Sequence, residues 1–162
     1  MVATRPDSPA EFEKREGFIY QGNVPFALDR DLGWRAKIGL IVLDNDWTIE
    51  YEVSRILSLD GVATYAHRLH MDEMVTMETL RAMEPRITAA AEMLNPATKL
   101  DVVAYGCTSG TIAIGKEKVF ERIRDAKPGV ECTTPIVAGA AGMKALGIKK
   151  VALLTPYVED VT

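Results

Sequence analysis

The hydrophobic pattern becomes regular from position 37 onward. Ile38-Gly39-Leu40-Ile41-Val42-Leu43 is a short run that is apolar on both faces, as a strand buried inside a parallel sheet must be. A turn at Asp44-Asn45-Asp46 follows. Ile49, Val53, Ile56 and Leu57 then recur at helical spacing and predict a helix over 47–57 with Asp46 or Thr48 as its cap. A second strand is predicted near 62–69. One long helix is predicted over 77–94, capped by Thr76, striped by Leu80, Met83, Ile87, Ala90, Ala91 and Leu94, and ended by Asn95-Pro96.

The same alternation continues with a strand over 100–105, a helix over 112–126, a short strand over 131–134 and a helix over 136–146 closed by Gly147. Lys150-Val151-Ala152-Leu153-Leu154-Thr155 reads as a fifth strand. Strand and helix in alternation, joined by right-handed crossovers, give an α/β fold: a doubly wound, flavodoxin-like parallel sheet of four to five strands.

Residues 1–36 have no sustained period, yet Phe12, Phe18, Tyr20, Phe26 and Trp34 are too many aromatics for a free linker. They are read as an N-terminal arm ahead of one domain spanning 37–162. The chain stops where Pro156-Tyr157-Val158-Glu159-Asp160 looks like a turn opening another helix, so the domain is expected to be truncated at its C-terminus.

Composition narrows the function classes. A chain of 162 residues, 48% apolar, can bury one core, and a net charge of −4 argues against nucleic acid or anionic lipid as partner. Small molecules remain. The opening residues mix acids, bases and proline where a secretory signal needs an apolar run, and no stretch reaches membrane-spanning length, so a cytoplasmic location is expected. Cys107 and Cys132, lacking CxxC spacing, are expected as free thiols.

In an open α/β sheet ligands bind beyond the carboxyl ends of the strands, where the strand order reverses. Three turns fall at that edge: the one around Asp44-Asn45-Asp46, Gly106-Cys107-Thr108-Ser109-Gly110-Thr111, and Thr155-Pro156-Tyr157. The second puts a thiol between a strand end and a helix start. A free cysteine titrates near about 8.5, and a helix N-terminus can lower that value, which makes Cys107 a candidate base or nucleophile. Thr108, Ser109 and Thr111 add hydroxyl donors for a carboxylate or an enediolate. The competing reading makes Cys107 a small buried filler. The turn matches neither a Walker loop nor GxSxG. Cys132 is read as structural, Trp47 as an anchor for its helix, and His67, His70, Asp72 and Glu73 as solvated side chains rather than a metal site.

These residues resemble a known group. Ile38-Gly39-Leu40-Ile41-Val42, Glu50-Tyr51-Glu52, Tyr105-Gly106-Cys107-Thr108-Ser109 and Ala152-Leu153-Leu154-Thr155-Pro156-Tyr157 are similar to successive blocks of the maleate isomerases and arylmalonate decarboxylases, within the Asp/Glu racemase group. The resemblance covers 37–162 and implies the first of two α/β halves that face each other across a cleft. It implies Cys107 as the catalytic cysteine, Thr108 and Ser109 as the carboxylate-binding pair, Tyr157 as a further donor to substrate, and no cofactor.

Asp46 stands where the group commonly has a carboxylate-binding asparagine, which would suit an ammonium or amide on the substrate; alternatively Asp46 only caps the helix. The wording Leu43-Asp44-Asn45-Asp46-Trp47-Thr48-Ile49-Glu50 looks like the ectoine-utilisation branch. The leading expectation is a cofactor-independent, cysteine-based racemase or isomerase of a small carboxylate or amino-acid derivative, in ectoine or hydroxyectoine degradation. The alternatives are a cis–trans isomerase or decarboxylase of a small dicarboxylate, a non-catalytic small-molecule sensor, and a cysteine hydrolase. A homodimer is one way to cover the face a missing half would leave open.

Overall fold

The computed structural model describes residues 17, 25–157 and 161, with a compact unit over Asp31–Thr162. The arm read over 1–36 therefore lies largely outside the described residues, Phe12, Phe18 and Tyr20 included. Phe26 and Trp34 are described, and both are exposed.

The elements are β1 (Ala36–Leu43), α1 (Ile49–Ile56), β2 (Val62–Leu69), α2 (Met77–Arg81), α3 (Glu84–Met93), β3 (Val102–Tyr105), α4 (Thr108–Ile114), α5 (Lys116–Ala126), β4 (Glu131–Thr133) and α6 (Pro135–Ala145). The strands form one four-stranded sheet in the order β2-β1-β3-β4, every neighbouring pair parallel. From β1 the chain steps to β2 on one side and then crosses back to β3 on the other. Right-handed crossovers in opposite directions put α1 and the α2–α3 pair on opposite faces, and the switch lies between β1 and β3.

Side chains alternate along β1. Leu40 and Val42 are buried on one face, while Gly39 and Ile41 turn toward α3. On that second face Ile41, Leu80, Met83, Ile87, Val103, Tyr105, Val119 and Ile123 are fully buried in one cluster with Leu94 and Leu100. Each large apolar side chain sealed there contributes about 1.5–3 kcal/mol.

Three predicted elements come out differently. The helix read over 77–94 is two helices, because Pro85 has no N–H for the carbonyl of Arg81 and its ring crowds that carbonyl. Thr76 does cap the first of them, exchanging hydrogen bonds with Thr79 in a capping box. The helix read over 112–126 begins earlier and is divided at Gly115, whose φ of 92° lies in the left-handed region that glycine tolerates.

The fifth strand is absent among the described residues. A strand exists through its ladder, and no pairing extends the sheet past the three-residue β4. Val151, Leu153 and Leu154 are exposed instead, Leu154 to 93%. Helix α6 likewise has no buried residue despite its apolar composition. Among the described residues no helix is long and apolar enough to cross a membrane.

Candidate functional site at the carboxyl edge of the sheet

Strands β1 and β3 end side by side at the switch point, and the Gly106 N–H donates to the Ile41 carbonyl at 2.8 Å. The loops that leave them share a cleft of about 350 Å³, lined by Leu43, Asn45, Asp46, Met71, Val75, Gly106, Cys107, Thr108, Ser109 and Tyr157. Cys107, Thr108, Ser109, Asp46 and Tyr157, drawn from three separate turns, are thus brought together.

Cys107 has extended backbone and is the N-cap of α4. Its sulfur accepts the Gly110 N–H at 3.2 Å and lies 3.7 Å from the Ser109 hydroxyl. The residue is only 4% exposed, yet it borders the cleft. The amide donor points at the atom that carries the negative charge when the thiol ionises. Thr111 serves differently from the sequence expectation: its hydroxyl donates to the Cys107 carbonyl at 2.6 Å and does not line the cleft, so it fixes the turn rather than facing a ligand. Ser109 is buried and Thr108 half-buried.

The N-cap of α1 is Thr48, but the bonds at the helix start come from Asp46, which also borders the cleft. Its Oδ1 accepts the Thr48 N–H at 2.7 Å, the Ile49 N–H at 3.0 Å and the Thr48 hydroxyl at 3.1 Å. Burial works against its charge, but the Ile49 and Thr48 donors and the nearby Arg68 outweigh that and hold its carboxyl below the usual carboxylate value. Asp46→Ala, which leaves the Thr48 and Ile49 amides without that acceptor, is therefore expected to cost about 1 kcal/mol in urea denaturation, whereas Asp46→Asn keeps an oxygen to accept them. The depressed value makes the charge's contribution complete above about pH 4 and lost as the pH falls through it, so wild-type and Asp46→Asn stabilities should converge in acid.

Sequence reasoning missed the residues that hold these loops. Arg68 on β2 donates to the carbonyls of Leu43 and Asp44, each at 3.2 Å, and of Asp46 at 2.8 Å, and it pairs with Glu50. Arg68 faces Val42 across the β1–β2 register, so no local signal could have shown it. Asp44 ties the two neighbouring loops: Oδ2 meets His70 Nδ1 at 2.5 Å and Oδ1 accepts the Met71 N–H at 3.1 Å. The His70 bond, then the Met71 amide, hold the Asp44 carboxyl below its ordinary value.

Other candidates stand apart. Trp47 is 90% exposed and neither walls the cleft nor anchors α1, because Asp46 fixes the helix start and Ile49 and Val53 are the half-buried positions. Cys132 lies half-buried on β4 with its thiol near the Val130 carbonyl, and burial pushes that thiol above its ordinary value. Among the described residues no group of three or more His, Cys, Asp or Glu side chains could hold a metal ion.

No protein-family model matches the chain. Maleate isomerases from Geobacillus stearothermophilus and Alcaligenes faecalis are 28% and 31% identical to it; each match covers 78% of this chain and 55% or 54% of the relative. A solved maleate isomerase from Pseudomonas putida S16 superposes with a TM-score of 0.63 at 25% identity, over 78% of this chain and 55% of that one. A cysteine-to-alanine variant of that enzyme has been solved with maleate. The chain spans about half the length of the curated relatives it matches. Over 78% of its length, in sequence and in fold, this chain is similar to maleate isomerases.

Proposed function

We propose that the protein is a cis–trans isomerase of a small dicarboxylate such as maleate, acting through Cys107. The observation that supports this best is a cysteine N-cap, with an amide donated to its sulfur, at the edge of a cleft that also receives Thr108, Ser109 and Tyr157. Likeness to maleate isomerases favours this reading over racemisation.

In this reading the Cys107 thiolate adds to one alkene carbon and the displaced π pair moves onto the adjoining carboxylate as an enediolate. The former double bond is now single and rotates. The pair returns, the carbon–sulfur bond breaks, and the trans isomer leaves with thiolate regenerated. No net proton or electron is consumed, so the reading invokes no cofactor. Hydroxyls of Thr108, Ser109 and Tyr157 are the proposed donors to the carboxylates, whose charge grows in the enediolate.

Asp46 bears on the choice of substrate. Its charge is locally offset by three donors and Arg68, which permits a dicarboxylate nearby. A carboxylate at the cleft also supports a second reading, an amino-substituted substrate as in the ectoine-related branch; tighter binding of such a compound than of maleate, abolished in Asp46→Asn, would favour it.

The test is intact-mass spectrometry after incubation with maleate. One maleate added per chain, mapped to the peptide containing Cys107 as succinylcysteine, is the expected result. No adduct, together with no maleate-dependent shift of the 106–109 amide resonances, would overturn the reading.

A further inference from the structure

Tyr105 is a fully buried phenol that the mechanism above does not use. It lies two residues before Cys107, so both side chains leave β3 and its extension on one face. Its hydroxyl donates to the Met83 thioether at 3.8 Å, a weak acceptor for a buried O–H. The hydroxyl and the Cys107 sulfur stand together beside Gly110. A Cβ placed on Gly110 would lie 2.8 Å from the Tyr105 oxygen, 2.9 Å from the Cys107 sulfur and 2.8 Å from the Met83 methyl. The missing side chain is what leaves room for the phenol and the sulfur side by side.

We infer that Tyr105 is a positioning residue for the Cys107 thiolate: when the thiol ionises, the buried hydroxyl leaves the Met83 sulfur and donates to Cys107 from the side opposite the cleft. This rests on the reading of Cys107 as the reactive group. A thiolate is a far better acceptor than a thioether, and hydrogen bonds to charged groups are roughly twice as strong as neutral ones. Both the hydroxyl and the sulfur already lie against Gly110, so the exchange calls for a local reorientation of the phenol rather than a rearrangement of the core. Burial, with Cys107 adjoining, raises the phenol well above its ordinary value, so Tyr105 keeps its proton and stays a donor at any working pH.

The other titratable groups lining the cleft among the described residues are Asp46 and Tyr157. Asp46 spends Oδ1 on Thr48 and Ile49, and Tyr157 belongs to a separate turn that lines the same cleft. On ionisation the Tyr105 hydroxyl would therefore join the Gly110 amide and the Ser109 hydroxyl around the sulfur. The cleft side stays free for substrate.

The experiment is the pH profile of Cys107 alkylation by iodoacetamide, in the whole chain with Cys132→Ser so that one thiol reports. Tyr105→Phe is expected to move the profile's midpoint upward by about one pH unit, a roughly tenfold slower reaction at a fixed pH below it. Met83→Leu, close in volume and without the rival acceptor, is expected to move it downward. A packing role alone would lower the melting temperature and leave both midpoints in place. Should Tyr105→Phe fail to fold, Met83→Leu decides: an unmoved or raised midpoint overturns the inference, as does a Tyr105→Phe profile that overlays the parent. The failure of maleate to label the parent would instead count against the proposed function, since alkylation does not require maleate.

Discussion

Labelling by maleate is expected to vanish in Cys107→Ser and to persist in Cys132→Ser. The two thiols differ in surroundings. Cys107 caps α4, takes an amide hydrogen bond and borders the cleft. Cys132 sits half-buried on an edge strand with its titration pushed upward, so it stays protonated and weakly nucleophilic at neutral pH. Serine preserves the cap, because its oxygen can accept the Gly110 N–H, and the fold should survive. A neutral hydroxyl adds to an activated alkene far more slowly than a thiolate, so the labelling rate should fall on the order of 10³-fold or more. Circular dichroism and peptide mapping on the same samples separate loss of chemistry from loss of fold. Labelling that followed Cys132 would remove Cys107 from the mechanism.

Gly39→Val is expected to be the most damaging single change in the sheet. The added Cβ would stand 2.8 Å from Leu100 Cδ1, 2.9 Å from Leu94 Cδ1 and 3.1 Å from Val103 Cγ2, and all three residues are buried. Valine adds two further methyls with nowhere to go. Overpacking of this kind costs about 3 kcal/mol, a fall in melting temperature of roughly 10 °C for a domain of this size. Gly139→Ala on α6 is the matched control, since nothing lies within 4 Å of its added carbon, and it should be neutral or stabilising by about 0.5–1 kcal/mol through helix propensity. If Gly39→Val melted with wild type, α3 could not pack on β1 as described.

The parts of the fold that were legible rest on short-range physics. The run at 38–43 could only be a strand buried on both sides, and β1 with β3 then fixes where the switch point falls. The turn carrying Cys107 was legible for the same reason, as it follows the strand that ends at Tyr105. Pro85 and Gly115 were visible in the sequence, but the apolar stripe runs in register through Met83 and Ile87, so periodicity hid the break that backbone chemistry imposes. Trp47 shows the reverse error, in which residue type suggested burial and position denied it. The apolar run at 151–154 met the pattern of a strand without a neighbour to pair with.

The site was legible in its thiol and hydroxyls and illegible in its supports. Arg68 reaches its carbonyls only because β1 and β2 are in a particular register. Tyr105 read only as the end of a strand, and it is core; its second aspect depends on an absent side chain at Gly110, five residues on.

The two ties on the first loop differ in their response to acid. Arg68 holds the loop through carbonyl oxygens, and neither a guanidinium nor a carbonyl changes protonation in any ordinary buffer. The Asp44 tie to His70 and Met71 depends on a carboxylate, and it weakens once acid reaches the depressed Asp44 value. Strong acid should therefore slacken the Met71 side of the opening while the Asn45 side keeps its shape, so that the mouth widens lopsidedly before the sheet beneath it melts.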